Sequence, residues 1–436
     1  MKNLVKSGAA LLLACTALAS AQENPDRKAR VETVLNTPGC VAFWDFVHRE
    51  PAAPHRFTAR AGGRTEDLFP LDAGNYVLDY WGSGRAASYA DFPLLDRGPF
   101  GQAVGFRKET DADFRPLLQV PRTALHDSPI DIKGAGKSVT LVVWAIRESG
   151  NHALAGIWHE GTDLKQDSTA GIRRMERGQR QYALFAGLNK KGSACGHVSE
   201  NGAGSFLNKY ALHKSNSGDV SPEVPMDAPE ELLDRSWQCF AMTVDPSTSE
   251  LTSWLNGAAT PRWLDDPGKD PLLSFARNAW LQARLHRQPG LQPGEDPQFP
   301  PDQFYAPPED RAVSEQVVSE ADGTRVVLRE FKYTRVRSTE RMENGRWNEV
   351  DCELASIRLN PWWYPHGIYS PPADNSGGPL TIGRVIHSSK SVGFTGWIGG
   401  VAVFNRSLTS NEMRALAAIG RELPPVPAPA HPTAPR

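Results

Sequence analysis

Long apolar runs are missing from this 436-residue chain once its first twenty-one residues are passed. No later segment approaches the roughly 20 apolar residues that a membrane-spanning helix needs. No basic block stands out either. The chain has 48 Lys and Arg against 50 Asp and Glu, a formal charge of −2, and this excludes the electrostatic footprint of a nucleic-acid binder. There is no G-x-S-x-G, no glycine-rich phosphate loop and no H-E-x-x-H, so the usual signatures of a serine hydrolase, a nucleotide enzyme or a zinc protease are absent. Helical periodicity is scarce. What is abundant is Gly (38), Pro (35) and Trp (12): the first two favour many turns and short strands, and the last suits a sandwich core or a sugar-stacking surface.

Residues 1–21 combine a basic start at Lys2 and Lys6, an apolar stretch and the small-residue pattern Ala19-Ser20-Ala21. They read as a signal peptide cleaved after Ala21, which places the mature chain in a secreted, periplasmic or cell-envelope compartment. Leu12-Leu13-Ala14-Cys15 also has the form of a lipobox, under which Cys15 would carry a lipid anchor. Export makes Cys40, Cys195, Cys239 and Cys352 candidates for bridges. Cys195 and Cys239, in neighbouring strand-like segments, are the favoured pair, and four buried thiols are the alternative.

From there to about Gly420 the recurring unit is a short apolar or alternating run bounded by Gly, Pro, Asn or Asp. Examples are Cys40–Val47, Val139–Ile146, Gln181–Leu188, Trp237–Val244, Glu250–Leu255 and Gly400–Phe404. Strands at this density without long intervening helices predict an all-β antiparallel sandwich or jelly roll. One short C-terminal helix is expected, opened by the capping box Thr409-Ser410-Asn411-Glu412, carrying Met413, Leu416 and Ile419 on one face and stopped at Gly420. Residues 421–436 form a Pro/Ala-rich tail expected to be extended and disordered. Gln288–Glu309, with seven prolines, reads as a surface excursion.

Six segments in order resemble the laminin G-like branch of the concanavalin A-like lectin/glucanase superfamily: CVAFWDF from Cys40, Gly98–Phe106, Ser138–Glu148, Arg235–Gly257, Gly378–Val385 and Phe394–Leu416. The resemblance frames residues 22–420 as one domain and implies a jelly roll of two curved antiparallel sheets that binds glycans or extracellular proteins. It also bears on calcium. Family members often carry Asp in a closing G-x-I-D pattern, whereas here the segment is Gly396-Trp397-Ile398-Gly399. Calcium needs several hard oxygen ligands, so Asp45 and Asp245 are left as its candidate ligands, with a turn or rim role as the default.

Relative to that family the chain carries an insertion of about residues 258–377. Its second half predicts a hairpin, Arg329–Arg341 and Arg346–Leu359 around Asn344-Gly345. The second strand contains E-x-D-x-E. In an extended strand Glu349, Asp351 and Glu353 share one face, with the two Glu backbones about 13 Å apart. Side chains leaning together could approach the roughly 5–5.5 Å of a retaining glycosidase. Laminarinase- and lichenase-type enzymes of the same superfamily have a catalytic strand that this motif resembles. The resemblance would make Glu349 the nucleophile, Asp351 its electrostatic partner and Glu353 the acid/base. The competing reading is a charged solvent face: a three-residue loop sets Arg341 opposite Glu349 and Arg337 opposite Glu353 as cross-strand ion pairs.

Trp347 and the cluster Trp362, Trp363 and Tyr364, flanked by Pro361 and Pro365, are the candidate sugar platforms. His159-Glu160, Cys195-Gly196-His197 and His213 show no zinc-ligand spacing. The balance favours a secreted, non-catalytic module binding an extracellular polysaccharide or glycoprotein. The alternatives are a retaining glycoside hydrolase and a structural or adhesive module with a protein partner.

Overall fold

The computed structural model describes residues 25–64, 68–150, 152–160, 178–188, 190–202, 213–267, 274–285, 305–372, 377–387, 390 and 393–421. The leader with Cys15, the tail beyond Arg421 and most of the proline-rich stretch 288–309 lie outside them.

Val139–Ser149 shows why the chain makes sheets. Its run VTLVVWAI is apolar at every position except Thr140, as suits a central strand covered on both faces. Leu141, Val143 and Ala145 turn toward the main core, while Val142 and Trp144 enter a second cluster behind the sheet. Around it an eight-stranded antiparallel sheet runs in the order Trp362–Trp363, Glu250–Leu255, Gln238–Asp245, Val139–Ser149, Thr395–Phe404, Ala103–Phe106, Leu94–Leu95, with Cys40–Trp44 also pairing with Thr395–Phe404. A seven-stranded sheet runs Lys214–Asn216, Cys195–Gly202, Gln179–Phe185, Ala153–His159, Leu380–Ile382, Pro116–Val120, Asp72–Asn75. The two enclose one core, in which Val143, Phe240 and Met242 of the first meet Ile157, Tyr182, Leu184 and Val198 of the second. The fold is an all-β sandwich of antiparallel sheets.

A third sheet forms within residues 262–360. Arg262–Asp265, Arg346–Asn360, Thr334–Glu343, Thr324–Glu330 and Ser314–Ala321 form a five-stranded antiparallel sheet in that order. It is fastened to the sandwich by Asn360, which is fully buried. The Asn360 Oδ1 accepts from the Ser253 N–H at 2.9 Å, and its Nδ2 donates to the carbonyls of Ser253 at 3.0 Å and Thr260 at 2.9 Å. Ser253 in turn links the two sheets of the sandwich: its Oγ donates to the Ser215 carbonyl at 3.0 Å and accepts from the Gly196 N–H at 2.8 Å.

The capping-box helix forms at Ser410–Ala418, with Thr409 as its N-cap and both box hydrogen bonds present. The expectation of a single helix is corrected. Pro25–Asn36 and Ser274–Leu285 are also helical, together with shorter turns. Pro25–Asn36 buries only Val31 and Val34, against the cluster that also holds Met413, Leu416 and Phe404. Its remaining positions are largely polar, so one narrow apolar stripe left little periodic signal. Both terminal helices share the same apolar cluster on the outer side of the eight-stranded sheet, and there the Trp144 Nε1 donates to the Leu416 carbonyl at 3.0 Å.

Candidate functional site

The E-x-D-x-E strand was the sharpest chemical expectation, and its geometry differs from the regular alternation assumed for it. Asn344 and Gly345, with φ of 53° and 77°, form a two-residue turn that pairs Glu343 with Arg346. Farther down, Arg337 pairs with Glu353 and Thr339 with Asp351, the register a three-residue loop would set. A bulge at Val350 absorbs the one-residue difference, leaving Glu349 opposite Glu340 and Arg341 opposite Asn348. A one-residue slip moves a side chain to the other face of the sheet, so the carboxylates divide. Glu353, on the solvent side with Asp351, meets Arg337 at 3.3 Å, as the ion-pair reading expected. Glu349 turns to the opposite face, where the Ser338 hydroxyl donates to it at 2.6 Å and Arg284 of the helix lies at 3.4 Å. The like-charged neighbour Glu340 is held by Arg325 at 2.7 Å and Arg329 at 2.5 Å. Glu349, Asp351 and Glu353 do not converge on a common point.

The aromatic candidates serve mainly as packing. Trp362 is fully buried and stacked on Tyr305, with ring centroids 4.5 Å apart. Trp363 is half-buried, its ring edge-on to Tyr305. Tyr364 is buried and donates to the Gly367 carbonyl. The flanking prolines therefore bound a two-residue strand paired with Glu250–Leu255, and no exposed loop forms there. Trp347 is half-buried beneath the Arg325 guanidinium, 4.6 Å from its ring centroid.

The other candidate sites are also dispersed. Asp45 is buried, paired with Arg60 at 2.6 Å and accepting from the N–H groups of Val47 and His48. Asp245 caps its own turn through Ser247. The strand registers put the two on the order of 20 Å apart, too far to share a calcium ion. Gly399, where the laminin G-like resemblance would put an acid, has no room for a side chain: a Cβ there would lie 2.6 Å from Pro99 and 2.8 Å from Trp237. The expected Cys195–Cys239 bridge is corrected as well. All four described cysteines are free and buried. Cys195 and Cys239 belong to different sheets and pack in separate apolar clusters. Burial pushes both thiols up to about 12.

Tertiary structure assembles a group that no sequence spacing announced. Glu200, near the end of Cys195–Gly202, stands between His213 and His366, with the His213 Nε2 3.0 Å from its Oε1 and the His366 Nδ1 2.8 Å from its Oε2. These ligand atoms all lie within 4.8 Å of one another. Burial would raise the Glu200 carboxyl, but the two imidazoles outweigh it and bring the group to about 2. The Tyr364 ring packs against both imidazoles, with centroids 5.0 and 5.5 Å away. His213 adjoins the strand Lys214–Asn216, whereas His366 comes from far along the chain. Only the short distance from Tyr364 to His366 was a sequence clue. His197, by contrast, packs against Trp158 with ring centroids 4.2 Å apart, and burial holds it well below the usual imidazole range.

A second concavity lies where 107–115 crosses from Ala103–Phe106 in one sheet to Pro116–Val120 in the other. The exposed Arg107 and Lys108 separate two hollows, of about 240 and 330 Å³. Asp91, Glu109, Asp111 and Phe114 line the first, and Glu148, Met226, Asp227 and Trp397 the second. Several of these polar walls are oriented from behind: Asp91 by Arg85, Glu109 by Arg384 and the Gly393 N–H, Glu148 by the Met226 N–H. Phe114 is held under the Arg85 guanidinium.

No protein-family model and no curated protein matches this chain. Among solved structures, domain 4 of AbnA, a GH43 extracellular arabinanase from Geobacillus stearothermophilus solved with arabinotriose, is 9% identical with a TM-score of 0.36, over 87% of this chain and 98% of that one. The binding domain of botulinum neurotoxin DC, solved with rat synaptotagmin II, is 6% identical with a TM-score of 0.31, over 88% of this chain. The botulinum neurotoxin serotype C1 binding domain is 6% identical with a TM-score of 0.32, over 89%. The alignment spans only 52% and 53% of those two toxin chains. Likenesses this slight carry no function across. No helix among the described residues is long and apolar enough to cross a membrane.

Proposed function

We propose that this chain is a secreted, non-catalytic laminin G-like module that binds an extracellular glycan or a glycosylated partner in the groove around Arg107 and Lys108. The groove carries the reading. Sugars are recognised by oriented planar donors and acceptors beside an apolar surface. Here a guanidinium, an ammonium and fixed carboxylates surround Phe114 on one side, with Trp397 and Met226 on the other. The mixed charge of the walls suits a polyhydroxylated ligand better than a uniformly anionic one. What supports the non-catalytic half is the division of Glu349 and Glu353 onto opposite faces, each engaged by arginine. A retaining mechanism needs two carboxyls facing one another across a bond.

Native electrophoresis through gels cast with a panel of polysaccharides, with and without calcium, tests the proposal. Retardation without a cleared zone, weakened in Arg107→Ser/Lys108→Ser, is the expected result. Clearing that vanishes in Glu349→Gln would reverse the non-catalytic half. Retardation indifferent to the double substitution would remove the groove from it.

A further inference from the structure

The Glu200, His213 and His366 side chains have the composition and placement of a metal centre. Two imidazole nitrogens and one carboxylate oxygen match the ligands zinc takes when three come from protein and a fourth position stays open. Zinc holds such atoms at roughly 2.0–2.2 Å, which sets tetrahedral ligands roughly 3.3–3.5 Å apart. The His213 and His366 nitrogens lie 3.0 and 2.8 Å from different oxygens of Glu200, and the ligand atoms all lie within 4.8 Å of one another, so small side-chain movements bring them to that spacing. Glu200 and His366 have side chains 10% exposed and His213 13%, so the trio is shielded but reachable.

A simple ion pair between Glu200 and protonated histidines explains the trio less well. Among the described residues the His213 Nδ1 is buried without a hydrogen-bond partner. A metal on Nε2 leaves a neutral N–H at Nδ1, whereas a doubly protonated ring would bury a charged one there. The Glu200 Oε2 faces the His366 Nδ1 at 2.8 Å. The Tyr364 hydroxyl donates to the Gly367 carbonyl. Two imidazoles converging on one carboxylate, with the His213 Nδ1 left without an acceptor among the described residues, place three ligand atoms around one point.

We propose that Glu200, His213 Nε2 and His366 Nδ1 bind a divalent transition ion of the zinc class, clasping the segment after Trp362–Trp363 to the end of Cys195–Gly202. Imidazole with one carboxylate selects zinc-like ions over calcium, which takes oxygen ligands. The clasp is independent of the groove at Arg107, so loss of glycan retardation and loss of metal binding are separate results.

The test uses the full mature chain without an affinity tag, stripped with chelator and titrated with Zn²⁺ and, separately, Co²⁺. One ion per chain is expected, with the intense visible d–d bands of a tetrahedral Co²⁺ centre and a thermal midpoint that rises with Zn²⁺. Glu200→Gln and His366→Ala should each weaken Zn²⁺ binding at least tenfold, while Ca²⁺ should bind neither the wild type nor the variants here. Absence of the Co²⁺ bands in the wild-type protein overturns the proposal without recourse to any variant. So does Zn²⁺ binding that both substitutions leave unchanged, which marks an adventitious ion only.

Discussion

Replacing Asn360 with alanine should be among the most damaging single changes in the chain. The strand Glu250–Leu255 is paired along its length with Gln238–Asp245, but on its other side Trp362–Trp363 reaches only Glu250 and Leu251. Beyond that point the Asn360 amide takes the place of a neighbouring strand, satisfying the N–H and carbonyl of Ser253 and the carbonyl of Thr260. Alanine strands the Ser253 N–H and carbonyl in a buried site, while the Thr260 carbonyl keeps the Gly218 N–H at 3.0 Å. An unsatisfied buried donor costs about 1–3 kcal/mol and a carbonyl somewhat less, so the total is about 2–4 kcal/mol, toward the upper end for point substitutions. Urea unfolding followed by tryptophan fluorescence measures it as a fall in midpoint at unchanged slope. Asn360→Asp keeps the acceptor for Ser253 but turns an anionic oxygen toward two carbonyls, and should be no better than alanine. A loss below about 1 kcal/mol in Asn360→Ala would refute the argument that this side chain substitutes for a strand.

Glu349→Gln keeps the Ser338 hydrogen bond and should alter stability by less than about 1 kcal/mol, because its ion pairs are partly solvated; a larger loss in the same unfolding assay would show that the network around Arg284 and Arg329 does more than its geometry implies. Glu412, hydrogen-bonded by Arg406 and by the Thr409 N–H, is held down to about 2 from an ordinary carboxyl near 4.5. Its contribution is therefore complete above about pH 4.5 and lost as pH falls toward 2. Solvent screening reduces it to about 1 kcal/mol, and Glu412→Gln should flatten the acid limb of the stability curve by that amount. Gly399→Asp should destabilise by about 2 kcal/mol or more through overpacking against Pro99 and Trp237. Calcium should not rescue it; a calcium-dependent rise in its thermal midpoint would contradict the steric reading.

Local rules were legible where one stretch of chain decides the outcome. The apolar run at Val139, the capping box at Thr409 and the Asn344-Gly345 turn all depend on neighbours a few residues away, and each formed as its residues required. The helix Pro25–Asn36 was hidden because its only apolar signal is a narrow stripe that finds meaning against the C-terminal helix. The carboxylate strand failed for a different reason. Alternation along E-x-D-x-E is a property of a regular strand, and the bulge that breaks it reconciles a two-residue turn at the tip with the register farther down, a conflict between two strands that neither one contains.

The sequence by itself determined the class of fold, because a period of two and frequent turn residues leave antiparallel sheets as the way to bury so much apolar surface. Only the tertiary structure decided what the polar residues do. It sent Asp45 to Arg60, buried Trp362 and Tyr364, and placed Cys195 and Cys239 in separate layers. It also brought His366 to Glu200 and His213 from far along the chain. Hydrophobic burial is nearly additive and can be read one residue at a time, whereas a polar site exists only when donors and acceptors meet within about 3 Å. That meeting is fixed by how the sheets stack, and no spacing in the chain records it.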